Sequence, residues 1–315
     1  MNKLPVFTTI GQTFGFVVER RFFTLLRLVW FPSLIAMIVS LLPAAYTYYK
    51  FGTLPNQIKH QVAGAKIEVT DMSDPTLVVL ELLNFVLSIV LSAIIAVSIH
   101  RLILLDDRRP GTFFYLRLSR QEWLYILAWV IYFILLMLAF SPFFAHLFYA
   151  VGGEISNPNL SDPDVSQRVL GPILREPGTA IALGLAFLFA LVVLVRFGLV
   201  FPAIVAEDKL SFARSWELTR GNFWRLIGFW LLVGILGSLL LVFLLAIVGL
   251  AVGGIVVALM SGSETVGALG LLVLVVPAAL AFLVYFVVAV AIFVAALSFS
   301  YQALAGETAQ ADTFK

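Results

Sequence analysis

"AEDKLSFARSWELTRGNFWRLIGFW", residues 206–230, lies between two long apolar runs. It crowds charged, polar and large aromatic side chains into a segment too short to be a domain. Its reading decides the fold. It is a site, a connector, or the elbow between two membrane spans, and the surrounding composition chooses among these.

The chain has 315 residues, of which 62% are hydrophobic and 12% charged. Soluble domains carry about 25% charged residues. So much apolar surface calls for lipid as the solvent. A formal net charge of +2 gives no reason to expect nucleic acid. Cysteine is absent, which excludes disulfides and thiolate chemistry.

A bilayer core of about 30 Å takes about 20 apolar helical residues. Working outward from the elbow, six segments qualify, near 23–49, 77–105, 122–151, 178–206, 223–259 and 266–303. The runs are continuous rather than alternating, which argues against a barrel. The fold class is therefore all-α: a six-span bundle forming one polytopic membrane domain over 1–315. The last two spans exceed what a bilayer needs, so they tilt, break at glycine, or protrude. The first apolar run follows Arg20 and Arg21 and is too long for a signal-peptide core, so it reads as a retained anchor.

Lysine and arginine set the orientation. With the N-terminus inside, 14 of the 20 basic residues fall inside and 5 outside (Lys50, Lys59, Lys66, Arg168, Arg175), with Arg196 within a span. The positive-inside rule then places both termini in the cytoplasm and the quoted stretch on the inner leaflet. The expected location is the inner membrane of a bacterium. The outer loops are rich in Pro, Asn, Asp and Ser, with a short surface helix expected around 164–175.

Within the stretch, Pro202 near the end of span four can kink it. Asp208 suits a helix N-cap, and residues 209–219 read as a short amphipathic helix with Phe212 and Trp216 on one face. Gly221 suits a left-handed helix terminus and Asn222 the cap of the next helix. Two readings compete. In one, the segment is an interfacial helix whose aromatics and arginines meet lipid headgroups. In the other, Glu207, Asp208, Arg214 and Arg220 form a polar ligand or partner site.

The pattern recurs about every 100 residues. Arg20, Arg120 and Arg220 are each followed three residues later by Phe23, Trp123 and Phe223, and Trp30 and Trp230 also correspond. Ser119 and Glu122 have capping-box spacing. The expectation is three units, 8–105, 108–206 and 208–303, each an interfacial helix plus a transmembrane hairpin. The positive-inside rule alone would generate part of this likeness.

Arg196 either snorkels to the interface or pairs with an acid or ligand inside the bundle. His60, His100 and His146 are scattered, so no metal is assigned. Gly249 and Gly253 form G-x-x-x-G, which suggests helix packing. No catalytic residues and no cofactor are assigned, because no phosphate-binding, hydrolase-elbow, zinc-protease or dinucleotide motif occurs.

Residues 196–230, "RFGLVFPAIVAEDKLSFARSWELTRGNFWRLIGFW", resemble the signature of the glycerophosphoryl diester phosphodiesterase membrane-domain family. The matching positions are Arg196, Pro202, Glu207, Ser211, Ser215, Trp216, Arg220 and Gly221. In some members this region is joined to a catalytic domain similar to a TIM barrel, with a His-Arg-Gly motif. Here His100–Arg101 is followed by Leu102 and lies in a span. The resemblance thus implies the membrane module without the enzyme.

The expected function is a non-enzymatic membrane module that meets lipid, a protein partner or a second copy through its interfacial helices. The candidate lipid-facing residues are Arg196, Glu207, Asp208, Arg214, Trp216 and Arg220. A transporter or channel for a small or amphiphilic solute is the alternative, with Arg196 and Glu207 lining its path. A membrane enzyme acting on a lipid phosphate is a third reading, with Asp106–Asp107 and Glu207–Asp208 as its only acids.

Overall fold

A computed structural model describes residues 2–20, 22–51, 74–107, 116–152, 175–261 and 267–306. Among these residues every regular element is helical. Lipid offers no partner to a free peptide group, so a spanning segment must satisfy its own hydrogen bonds. The elements are α1 (Val6–Gly15), a π-helical turn (Phe16–Arg20), α2 (Phe22–Phe51), α3 (Pro75–Leu104), α4 (Arg120–Gly152), α5 (Pro177–Phe197), α6 (Val200–Glu207), α7 (Phe212–Thr219), α8 (Phe223–Ser261) and α9 (Gly267–Ala305). Six spans are long and apolar enough to cross a membrane: α2, α3, α4, α5 with α6, α8 and α9. The chain is a multi-pass membrane protein.

Span four is broken. Gly198 and Leu199 form a turn between α5 and α6. The cause is Pro202, which has no N–H to return to the Gly198 carbonyl and whose ring crowds that carbonyl. Hydrogen bonding resumes with Ala203 N–H to Leu199 O at 3.2 Å. The kink expected near Pro202 therefore falls one turn earlier.

The two long helices, α8 and α9, have 39 residues each. At 1.5 Å per residue each is about 58 Å long, nearly twice a hydrocarbon core. α8 runs unbroken through Gly253 and Gly254, so a glycine break is not how it is accommodated. The G-x-x-x-G pair Gly249 and Gly253 meets no close neighbour among the described residues. A Cβ on either would meet nothing within 4 Å, whereas one on Gly237 would lie 3.6 Å from Ile292. The close seam instead runs along α9, whose buried Ala291, Ala295, Ala296, Ser298 and Ser300 are small enough for backbones to approach. α9 touches α1, α2, α3, α6, α7 and α8 and is the hub of the bundle.

The core gathers at one end. On α3 the buried residues run from Leu91 to Leu102, and on α8 from Leu226 to Val233. This end carries α1, the α4 start, the elbow and the α9 end, and is called the elbow face below. Toward the opposite end, side chains such as Val79, Phe85, Phe148, Val242 and Leu250 are exposed to lipid.

A short helix, α1, stands at the head of the first expected unit and another, α7, at the head of the third. That of the second would fall on 108–115, outside the described residues, and 116–119 are not helical. The outer-loop helix around 164–175 falls almost wholly outside them too.

Candidate functional site

The elbow is built from the end of α5 to the start of α8. α6 is buried from Val200 to Val205. Its Phe201 ring meets Tyr125 at 4.9 Å, Tyr132 at 5.5 Å and Trp129 at 5.9 Å. Asp208 ends α6 in the left-handed conformation, φ 51°. It is not an N-cap: Ser211 fills that role, its hydroxyl accepting from Arg214 N–H at 3.2 Å. The correction has a local reason. Ser211 adopts the extended backbone a cap needs, and Asp208 does not.

α7 folds back on α5. The Ser215 hydroxyl donates to the Arg196 carbonyl at 2.7 Å, which occupies one of the open carbonyls at the end of α5. Phe197 meets Phe212 at 5.5 Å and Trp216 at 5.8 Å, so the shared face expected of Phe212 and Trp216 is the one that packs. Arg196 places its guanidinium carbon 4.7 Å over the Trp216 ring and 5.2 Å over Phe223. Among the described residues its one hydrogen bond is a long one, to Thr219 Oγ1 at 3.5 Å. Among the described residues no acid pairs with it, and aromatic faces hold the side chain.

Gly221 turns the chain into α8 with φ 80°, the left-handed region that glycine tolerates. Asn222 does not cap α8 with its side chain. Its Oδ1 accepts from Leu4 N–H at 3.1 Å, and its Nδ2 donates to Asn2 O at 2.9 Å. The N-terminal segment is thereby tied to the elbow, and Arg225 adds a bond to Leu4 O at 3.4 Å.

Glu207 and its neighbours form a second layer. The carboxylate accepts from Arg214 Nε at 3.1 Å and Tyr301 OH at 2.9 Å, with Lys209 Nζ at 3.4 Å. Arg214 also faces Glu217 at 3.9 Å, and Asp208 pairs with Arg120 at 3.0 Å. Arg196 and Glu207, expected to share a path, have separate partners. Arg220 is exposed, and no ion pair engages it among the described residues.

A third group lies deeper, and no sequence reading assembled it. Arg101 near the end of α3 donates from Nε to Gln121 Oε1 at 2.6 Å and from Nη2 to Ser119 Oγ at 3.0 Å. Glu122 Oε2 accepts from Ser119 N–H at 2.7 Å and from the Ser119 hydroxyl. The capping-box spacing is thus used by the glutamate. Arg101 and Glu122, both buried, stand 3.8 Å apart. His100 Nδ1 lies 2.7 Å from Ser298 Oγ, whose own proton goes to Val294 O at 2.9 Å. Nδ1 therefore donates, and Nε2 of the neutral ring is left as an acceptor. Among the described residues, Nε2 of His100, Nη1 of Arg101 and Oε1 of Glu122 are buried without a hydrogen-bond partner. The sequence held a signal for this group. Arg101 near the end of α3 and Glu122 in the first turn of α4 are opposite charges on apolar helices, and intramembrane charges pair. Among the described residues no group of three metal-ligating side chains forms.

The matched region of the chain includes this elbow. Residues 170–313 match the membrane domain of glycerophosphoryl diester phosphodiesterase. That is a little under half of the chain, and it covers α5 to α9. The resemblance carried by 196–230 holds over this part, and the match is to a membrane domain. No curated relative and no solved structure matches the chain.

Proposed function

We propose that this protein is a membrane module with no reaction of its own, which associates with anionic lipid at the inner leaflet of a bacterial cytoplasmic membrane through its elbow. The observation that carries the reading is the elbow's outer surface. Trp216 and Trp224 are exposed, at 45% and 77%, and so is Arg220, which no ion pair engages among the described residues. Exposed tryptophan next to arginine is the composition of a membrane interface. Arg214 belongs to the framework, because Glu207 and Glu217 hold it. The basic bias supports placing both termini and the elbow in the cytoplasm. A protein partner or a second copy could use the same surface, and these are the competing occupants.

The test is selective retention of phosphatidylglycerol over phosphatidylcholine by the full chain in mixed-lipid nanodiscs. The reading predicts enrichment of the anionic lipid that falls when Arg220→Gln and Trp224→Ala are combined. Equal retention of both lipids by the wild type would end it.

The buried Arg101–Glu122 group favours a second reading, a handler of a small polar solute. Polar groups inside a span mark solute or proton paths. Solute or proton flux in reconstituted vesicles, abolished by Glu122→Gln, would support it; tight vesicles would count against it.

A further inference from the structure

We propose that Arg196 is a phosphate-recognition residue of the elbow, its guanidinium edge taking the phosphate group of an anionic ligand at the membrane surface. This deepens the lipid-binding reading above and rests on it. The first argument is position. Arg196 stands in the last turn of α5, where α7 folds back so that its guanidinium lies beside Trp216 and Phe223 of the elbow. Trp216 is 45% exposed, so this cluster reaches the outer surface of the elbow.

The second argument is charge. Residues 196–225 hold five cations and three carboxylates, Glu207, Asp208 and Glu217. All three carboxylates are engaged elsewhere: Glu207 by Arg214, Lys209 and Tyr301, Asp208 by Arg120, and Glu217 by Arg214. None pairs with Arg196, which is half-buried. A buried charge is costly without a counter-charge.

The third is geometry. Guanidinium has five N–H donors, and one is used, in the long bond to Thr219. The Thr219 hydroxyl is itself committed to the Ser215 and Trp216 carbonyls at 3.0 and 3.1 Å. Trp216 and Phe223 hold the guanidinium in place, so its remaining donors are preorganised. A planar fork of donors with no carboxylate fits two phosphate oxygens. Arg220, one residue beyond Thr219, adds a second, exposed charge.

The experiment uses the full chain in nanodiscs of phosphatidylcholine doped with phosphatidylglycerol, with retained lipid counted by native mass spectrometry. Inorganic phosphate is titrated separately against the chain in neutral detergent, with thermal unfolding as the readout. Arg196→Gln should lower phosphatidylglycerol retention about tenfold, the size of one charge-assisted bidentate contact. Arg196→Lys keeps the charge but not the fork and should recover only part of it. Lys50→Gln, at the opposite end of α2, should change nothing. Loss in the lipid arm alone assigns the site to a headgroup. An Arg196-dependent shift with inorganic phosphate assigns it to a free phosphate. Retention and phosphate response both unchanged in Arg196→Gln would overturn the proposal while leaving the elbow reading standing. A wild type with no lipid preference and no phosphate response would overturn both. If Arg196→Gln fails to fold, Arg196→Lys and competition of inorganic phosphate with lipid on the wild type decide it.

Discussion

The elbow half of the bundle and the opposite half are made of the same helices yet are held by different means. On the elbow side, Leu226, Phe229, Val195, Ile99 and Tyr301 are buried against one another, and polar side chains link separate helices. On the far side Leu239, Val242 and Phe243 of the same α8 face lipid. Lipid tails are as apolar as leucine, so moving a leucine from lipid into the bundle gains little by transfer. What holds the near half is close packing and hydrogen bonding. The far half has two small polar links among the described residues: His146 Nε2 lies 3.1 Å from Thr179 Oγ1 between α4 and α5, and Asp74 accepts from Tyr46 OH at 2.9 Å and from Thr76 N–H at 2.9 Å and pairs with Lys50.

That contrast can be broken most forcefully at the buried pair. Glu122→Ala leaves Arg101 as an uncompensated buried cation and should destabilise by about 3–5 kcal/mol. Thermal unfolding in detergent would measure it. Replacing both partners with apolar residues, Arg101→Met with Glu122→Leu, should be much milder. If the single and double variants are equally damaging, the pair is not what organises this end.

Next in size is a matched pair of truncations on one helix. Leu226→Ala, at a buried position, should cost about 2–4 kcal/mol by leaving a cavity. Leu239→Ala, facing lipid, should stay within about 0.5 kcal/mol. Chemical denaturation of both in one detergent gives the comparison directly. Similar losses would mean that the far half is packed as tightly as the near one.

Tyr301→Phe removes the hydroxyl that α9 gives to Glu207 and should cost about 1 kcal/mol. Differential scanning would show it as a small fall in Tm. Because Arg214 and Lys209 remain on Glu207, no larger loss is expected.

The smallest effect concerns acid and the far edge. The hydrogen bond from Lys50 holds the Asp74 carboxyl down at about 2, below its usual 3.8. A depressed carboxyl stabilises the fold above its unfolded pKa. That stabilisation is complete above about pH 4 and is lost as the pH falls through 2. Lys50 is nearly half exposed, so solvent screens the pair. The Tm of Asp74→Asn should therefore lie slightly below wild type at neutral pH and converge with it near pH 2. A gap that persists in acid would assign the effect to the cap on α3 instead.

Much of the architecture was legible locally. The spans 23–49 and 223–259 differ from α2 and α8 by only a few residues, because any lipid-crossing run must be apolar and helical. Gly221 was legible because its conformation is a local property. Asp208 and Ser211 were harder to separate. Both are good caps, and the choice between them depends on where α6 stops, which its packing against α3 and α4 settles. The pairing of the candidate residues was not legible. Trp216 and Arg196 stood out as residue types, but their stacking requires α7 to fold back on α5. Arg101 with Glu122 was missed because each, alone, reads as the ordinary polar end of a span.

The sequence by itself determined the class of protein, the six crossings and the place of the elbow. These follow from hydropathy over about 20 residues. Only the tertiary structure decided which side of each helix is the inside. α8 and α9 are apolar all round, so no stripe marks the face that meets a neighbour. Small residues on α9 and a few buried polar side chains make that choice. They act only between segments far apart in the chain: His100 with Ser298, Asn222 with Leu4, Glu207 with Tyr301.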